Sequence, residues 1–432
     1  MVCVISAKAH RGRRGVKFLH CADIHIDSPL RGLSRGEGIP AEEIRLAARA
    51  AFDNLVALAI DEGVAAVIIA GDLYDGDRDD YDTAIYLQRQ FARLREEGIP
   101  VVIAYGNHDA ASEITRRLRP PDNVTLLSHR SPETIHLEDA GMAVHGQSYG
   151  KRAVTDDLSV AYPDPVPGYL NVGVLHTCLD GRPGHEPYAP CRLDWLQNRG
   201  YAYWALGHVH ARYEVERDGV WVVFPGNVQG RHARETGAKG ATLVEYDGDR
   251  VTSVESRELD TVRWLHCEVD VSDAVSADDV QSAAVSAVDS LTADDPGRLF
   301  ALRLELTGAT SAAGELVRDR ETWEAQLRAD LAGARGRVWL EKVKLAVTPP
   351  RGAGATGEEG EAIAAVRDAL AALREDEAAR ADLTSTLAAL RSKLGGDLPR
   401  LTELGCPDLT DDCMTALLDD VEQLLLSQLQ GG

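Results

Sequence analysis

Five short polar segments constrain this sequence most, because each directly follows an apolar run that is typical of a buried β-strand. In an open α/β sheet, ligands bind beyond the carboxyl ends of the strands, so side chains at several strand ends are expected to meet there. The segments are Asp23-Ile24-His25, Gly71 to Asp75, Gly106 to Asp109, Leu175-His176 and Gly207 to His210.

Strands and amphipathic helices alternate from Val16 onward, which predicts crossover connections and a mainly parallel sheet. The early elements are strands at Val16 to Cys21, Ala65 to Ala70 and Val101 to Tyr105, and helices at Ala41 to Glu62 and Asp80 to Glu97. After Asn123 the strands shorten and turns become frequent, up to the strand expected at Ala241 to Tyr246. This second half predicts another sheet that packs on the first within the same domain.

Changes in pattern divide the remaining chain. We expect a disordered basic leader over residues 1–15, an α/β catalytic domain over 16–260, an α+β domain over 261–348, a Gly/Pro-rich linker over 349–360 and a helical tail over 361–432. In the α+β domain, helices are predicted at Asp273 to Leu291 and Gly314 to Leu331, and a last strand at Arg337 to Leu340. The tail is either a self-contained bundle or a docking element for a partner.

Composition limits the compartment but not the substrate. The seven cysteines form no CxxC pair, which indicates reduced thiols in a cytoplasmic protein. No stretch approaches the roughly 18 apolar residues of a membrane span. The net charge of −23 argues mildly against nucleic acid, although a metal-filled cleft can reverse the sign locally.

The polar segments have the donor types of a dinuclear metal site. Two divalent ions need a bridging carboxylate and several terminal ligands. Asp72 is the candidate bridge. The other ligands are Asp23, His25 and His210 for one ion, and Asn107, His176 and His208 for the second. Imidazole, carboxylate and amide oxygen suit manganese, iron or zinc, and we expect manganese.

The motifs D-x-H, GD-x-x-D, GNHD, H and GHxH, in this order, resemble those of the calcineurin-like metallophosphoesterase superfamily over about Val16 to Leu259. The subtype is similar to the bacterial DNA-repair exonuclease branch (YhaO/SbcD-like), through Leu19 to His25, Asp27 to Leu30, Gly71 to Gly76 and Phe224 to His232. The resemblance implies a four-layer sandwich, two central sheets flanked by helices, with a small α+β capping domain and a helical C-terminal tail.

The resemblance also implies roles for single residues. His108 would be the catalytic histidine that is not a ligand, and Asp109 would hold its other ring nitrogen. Related nucleases carry histidine where this chain has Asp75, so equal exonuclease strength does not follow. Arg231 and His232 follow a strand end and either contact a phosphate backbone or are ordinary surface charges.

The function that this resemblance favours is a two-metal DNA nuclease, an exonuclease of DNA repair that works with an SMC-like coiled-coil ATPase bound through the tail. Related nucleases are dimers, so a homodimer is a further expectation. One alternative is a phosphatase or cyclic-nucleotide phosphodiesterase with small substrates, since the same metal site serves all three activities. Another is a mainly structural subunit of an ATPase complex.

Overall fold

The computed structural model describes residues 15–28, 40–75, 81–111, 120–179, 188–295, 297–335, 337–350, 358–394, 414–415, 417–419, 421–422 and 425. Within this part of the chain, two compact units separate between Trp264 and Leu265. Each unit is described below by itself.

The first unit contains twelve described strands and four described α-helices. The strands are β1 (Val16–Cys21), β2 (Val67–Ala70), β3 (Val101–Ala104), β4 (Val124–Leu126), β5 (Glu133–Leu137), β6 (Met142–Gly146), β7 (Leu170–His176), β8 (Tyr203–Gly207), β9 (Tyr213–Arg217), β10 (Val220–Phe224), β11 (Gly240–Asp247) and β12 (Arg250–Glu258). The helices are α1 (Ala41–Asp61), α2 (Tyr81–Glu96), α3 (Asn107–Ala111) and α4 (Leu193–Asn198), with 3₁₀ turns at Glu138–Ala140 and Leu158–Ala161.

These strands form two six-stranded sheets, in the orders β12-β11-β1-β2-β3-β4 and β5-β6-β7-β8-β10-β9. Neighbours from β1 to β4 are parallel, as are β6, β7, β8 and β10. The predicted parallel core is therefore confirmed. The strand expected at Ala241 to Tyr246 does not join the second sheet. As β11 it returns to the first sheet and pairs antiparallel with β1, and the turn at Asp247-Gly248 leads on to β12.

Apolar side chains fill the spaces between the layers. One cluster lies between the two sheets and contains Phe18, Ile68 and Val172, all fully buried. A second cluster packs the first sheet against α1 and α2, and a third packs the second sheet against α4. Helices thus cover the outer face of each sheet. The mixed α/β sandwich predicted from the sequence is confirmed.

The helix α1 shows why these residues form this layer. Its buried residues recur at intervals of three and four and form one continuous stripe. They are Ile44, Ala47, Ala48, Ala51, Phe52, Leu55, Val56 and Ala59. The negative charges of Glu42 and Glu43 in the first turn stabilise the helix, because they lie at the positive end of its dipole. The stripe packs α1 against the first sheet.

The second unit has a three-stranded sheet in the order β13-β14-β15. Its elements are β13 (Val262–Asp270), α5 (Ala277–Thr292), β14 (Leu299–Ala309), α6 (Ala313–Arg318), α7 (Arg320–Arg335), β15 (Val338–Thr348), α8 (Glu358–Glu375) and α9 (Glu377–Leu394). The prediction of a single helix from Gly314 to Leu331 is wrong. Two helices, α6 and α7, stand in its place, because the chain leaves helical geometry at Asp319. Aspartate competes with the helix backbone for hydrogen bonds, which favours such a break. The last strand is longer than predicted, because it pairs with β14 as far as Thr348.

The tail is helical where it is described. Leu370, Met414 and Leu418 are buried in one small cluster. The predicted leader lies outside the described residues except for Gly15, as do most of the linker and parts of the tail stripes. The domain boundaries stay predictions. Among the described helices, none is both long and apolar enough to cross a membrane.

Replacing Gly207 with alanine should destabilise the first unit. Gly207 ends β8, and a Cβ there would lie 1.9 Å from the carbonyl oxygen of Ala70, at the end of β2 in the other sheet. Because the clash is with backbone, we expect a loss of about 1–3 kcal/mol of unfolding free energy. Chemical denaturation measures this loss. Gly314→Ala, whose Cβ would meet no atom within 4 Å, is the control and should show none.

Candidate metal centre

All seven predicted ligands lie at one edge of the sandwich. Asp23 and His25 follow β1, Asp72 follows β2, Asn107 follows β3, His176 ends β7, and His208 and His210 follow β8. Side chains at this edge form three groups, and within each group the potential ligand atoms lie within 4.8 Å of one another. The groups are Asp23, His25 and His210; Asp23, Asp72 and His176; and His25, Asp72 and His108.

Asp72 lies between the two halves of the site. Its Oδ2 is 3.4 Å from Nε2 of His176 and 3.8 Å from Nε2 of His25. Its Oδ1 accepts a hydrogen bond from the backbone N–H of His108, at 3.0 Å. The residue is 2% exposed, so bulk water can hardly solvate the charge of its carboxylate. This is the position that a bridging ligand would occupy.

The first half of the site contains Asp23, His25 and His210. The Nε2 atoms of His25 and His210 are 3.2 Å apart, and Nε2 of His210 is 3.9 Å from Oδ1 of Asp23. Nδ1 of His25 is buried and has no hydrogen-bond partner. Both oxygens of Asp23 accept the backbone N–H of His208, which fixes the carboxylate against the loop after β8.

The second half contains His176, Asn107 and His208. His176 donates from Nδ1 to the carbonyl oxygen of Ala70 at 3.0 Å, so its Nε2 faces the site. That Nε2 is 3.0 Å from Oδ1 of Asn107. The ring of His208 meets that of His176 edge-on, with 5.2 Å between centroids. The structure thus brings together the three side chains predicted for the second ion.

The electrostatics favour positive charge beside Asp72. Burial lowers the pKa of His176, but the charge and hydrogen bond of Asp72, together with the charge of Asp23 and the hydrogen bond to Ala70, outweigh it and raise that pKa to about 9. Burial likewise favours a neutral Asp72, and the charge and hydrogen bond of His176 reverse this and hold the pKa of Asp72 well below its ordinary value. Two divalent cations would supply such positive charge. The donors, which are carboxylate, imidazole and amide oxygen with no thiolate, suit these ions.

The backbone at four of these positions is strained. Asp23, His25, Asp72 and His208 have φ angles of 50°, 47°, 51° and 101°, in the left-handed region that most side chains avoid. Hydrogen bonds from the N–H of Asp23 to Gly71 O and from the N–H of His25 to Asp72 O hold two of these turns. Such strain costs about 1–3 kcal/mol per residue and concentrates at functional sites.

His108 has a different partner from the one expected. Its Nδ1 lies 2.9 Å from Oδ1 of Asp75. The carboxylate of Asp109 instead accepts the backbone N–H groups of Tyr74 and Gly106. The expectation that Asp109 holds the ring of His108 is therefore corrected. α3 turns the side chain of Asp109 into the loops, while Asp75, three residues after Asp72, faces the ring.

Arg231 and His232, for which the sequence left open a contact with a phosphate backbone or a role as surface charge, lie in the loop between β10 and β11. Nη1 of Arg231 is 3.1 Å from Asp75 Oδ2, and its Nη2 is 3.2 Å from His210 Nδ1. The His232 ring is exposed, and its Nε2 is 3.6 Å from Glu235 Oε1. Reasoning from the sequence missed Glu235, which contacts His210 at 2.7 Å, and Lys239, whose Nζ donates to the His210 carbonyl at 3.1 Å. Neither residue belongs to a motif that could have identified it.

Removal of the Asp72 carboxylate should abolish metal-dependent stabilisation. A ligand that binds only the folded state stabilises it by about 2.7 kcal/mol at 100 times its dissociation constant. We expect Mn²⁺ or Zn²⁺ to raise the Tm of chelator-treated protein and to leave the Tm of Asp72→Asn unchanged. Differential scanning calorimetry measures both. Asp249→Asn, at an exposed carboxylate, should respond as the wild type does. A metal response retained by Asp72→Asn would contradict a bridging role.

Two family models match parts of this chain. Residues 16–212 match the model of the calcineurin-like phosphoesterase family, and residues 264–348 match the middle domain of metallophosphoesterase YhaO. A solved structure of a dimetal phosphatase from Danio rerio is similar at 11% identity and a TM-score of 0.33, and the match covers 57% of this chain and 100% of that one.

Two curated relatives extend the comparison. The uncharacterized metallophosphoesterase YhaO of Bacillus subtilis is 35% identical over 260 residues, 60% of this chain and 64% of that protein. The DNA double-strand break repair protein Mre11 of Haloferax volcanii is 29% identical over 233 residues, 51% of this chain and 49% of that protein. The chain thus spans less than two thirds of either relative. It contains a calcineurin-like metallophosphoesterase domain, and its similarity to YhaO and Mre11 is consistent with the YhaO/SbcD-like branch.

Proposed function

We propose that this protein is a two-metal phosphodiesterase that cuts DNA, an exonuclease of DNA repair in the cytoplasm. The observation that carries the proposal is that Asp72 belongs to two groups of potential ligand atoms, one with Asp23 and His176 and the other with His25 and His108. Two metal ions held 3.5–4 Å apart can clamp the attacking and leaving oxygens of an in-line displacement at phosphorus. A nearby imidazole can then serve proton transfer.

The proposed ligands are Asp72 as the bridge, Asp23, His25 and His210 for one ion, and Asn107, His176 and His208 for the other. When bound, the ions would supply Lewis acidity and an activated water. Hard oxygen donors with imidazole suit Mn²⁺, which we propose as the physiological metal, with Fe²⁺ and Zn²⁺ as the alternatives. Asp109 supports this set by fixing the backbone of Tyr74 and Gly106.

His108 is proposed to act on the substrate. Its hydrogen bond with Asp75 raises the pKa of the imidazole, so the ring carries a proton more readily. With Nδ1 engaged by Asp75, the proton that can reach a substrate is the one on Nε2. The side chain is 33% exposed, so substrate can approach it. His108 would stabilise the charged phosphoryl oxygens or protonate the leaving oxygen.

DNA is favoured as the substrate by the relatives. One curated relative is named as a DNA double-strand break repair protein, and the match to YhaO continues into a second domain at residues 264–348. Arg231 and His232 are proposed to contact the phosphate backbone beside the cut. A small-substrate phosphodiesterase would need the same metal site but not the additional domain.

Hydrolysis of labelled linear DNA tests the proposal, with bis-p-nitrophenyl phosphate as a second substrate. With Mn²⁺ present, we expect cleavage of both. His108→Ala should lower kcat about 10²- to 10⁴-fold with metal binding kept, because proton transfer contributes that factor. His129→Ala, at an exposed histidine outside the site, is the matched control. Cleavage of the small diester alone would contradict the DNA substrate, and cleavage of neither by metal-loaded protein would favour a structural subunit.

The tail is proposed to bind an SMC-like coiled-coil ATPase, as the family resemblance implies. Deletion of residues 351–432 should abolish binding of such an ATPase and leave Mn²⁺-dependent cleavage unchanged. Pull-down and nuclease assays on the same preparations measure the two properties. Loss of cleavage along with binding would show that the tail instead supports the fold. Gel filtration of the full chain at several concentrations tests the homodimer.

A further inference from the structure

Glu235 is a buried carboxylate that lies outside every described strand and helix. It lies in the loop between β10 and β11 and is 8% exposed. Its Oε1 is 2.7 Å from Nδ1 of His210. Burial of a charge without partners is costly, so the charged and polar groups around Glu235 must stabilise its carboxylate.

Several groups besides His210 neutralise or fix this carboxylate. Oε2 accepts the side-chain amide of Asn227 at 2.9 Å and the backbone N–H of Arg231 at 2.7 Å. Oε1 is also 3.3 Å from Nη2 of Arg231. The guanidinium of Arg231 reaches Asp75 with its other nitrogen. Arg231 therefore compensates two carboxylates, and Glu235 remains available as an acceptor for His210.

The contact with His210 fixes the state of that ring. Nη2 of Arg231, a donor, also lies 3.2 Å from Nδ1, but Oε1 of Glu235 is closer at 2.7 Å. The nearer carboxylate acceptor favours an N–H on Nδ1, so the lone pair of a neutral ring is on Nε2. Nε2 is the atom that faces His25 and Asp23. Histidines that bind metals commonly donate their second N–H to a carboxylate, which sets the tautomer, orients the ring and increases its basicity as a ligand.

We propose that Glu235 is a positioning residue of the metal centre, which holds His210 in the tautomer and orientation that bind the metal. The inference rests on the proposed metal site but not on DNA as the substrate. A competing explanation is that Glu235 only stabilises the conformation of its own loop, through hydrogen bonds with Asn227 and Arg231. The two explanations differ in whether its effect passes through His210.

The test is Mn²⁺ binding to chelator-treated full-length protein, measured by isothermal titration calorimetry without substrate. Glu235→Gln keeps the size of the side chain but offers a neutral amide oxygen in place of a carboxylate. We expect about 10- to 100-fold weaker binding at one site, the range found for partners of metal-ligating histidines. Glu255→Gln, at an exposed carboxylate on β12, is the control. Wild-type affinity in Glu235→Gln would overturn the proposal.

A second comparison separates positioning from folding. If Glu235 acts through His210, adding Glu235→Gln to His210→Ala should weaken Mn²⁺ binding no further. An equal further loss in the His210→Ala background would show the loop-stabilising role and overturn the proposal. Glu235→Asp, which keeps the charge, should recover part of the affinity. Because no substrate enters these titrations, failure of the DNA proposal would leave their results unchanged.

Discussion

The buried carboxylate of Asp72 is the constraint on which the rest of this site depends. It lies between Nε2 of His25 and Nε2 of His176, with almost no access to water. Taking a carboxylate out of water costs several kcal/mol unless positive charge compensates it. The histidines can supply that charge by taking up protons, and cations can supply it more completely. The site is thus built to hold positive charge at its centre.

The fold delivers these groups because both sheets end at the same edge. β1, β2 and β3 come from one sheet and β7 and β8 from the other, and each places its ligands at the end of the strand or in the first residues after it. The approach is close enough that Gly106 tolerates no Cβ, which would lie 2.3 Å from Asp72 Oδ1. The core between the sheets stabilises the strained turns, so packing sustains a geometry that the local backbone disfavours.

The sequence predicted that these side chains lie together because the relevant information is local. An Asp or His directly after a strand stays at that strand end whatever the rest of the chain does, as Asp23 and His176 show. It failed where the outcome depends on which distant segments approach. The partner of His108 is Asp75 rather than its neighbour Asp109, because the loop after β2 and the start of α3 face each other. Glu235 was missed for the same reason.

The net charge of −23 raises the question of how such a protein would hold a polyanion. Of the described basic residues beside the centre, Arg231 has its charge compensated by carboxylates. Arg231 is paired with Asp75 and Glu235, and Lys239 donates to the carbonyl of His210. Within the described part of the chain, bound cations would therefore be the main source of positive potential for a phosphate group, since their charges are the largest in such sites. In the proposed nuclease, metal occupancy would then affect substrate affinity as well as chemistry, because the metal-free protein carries a net charge of −23 and would repel DNA.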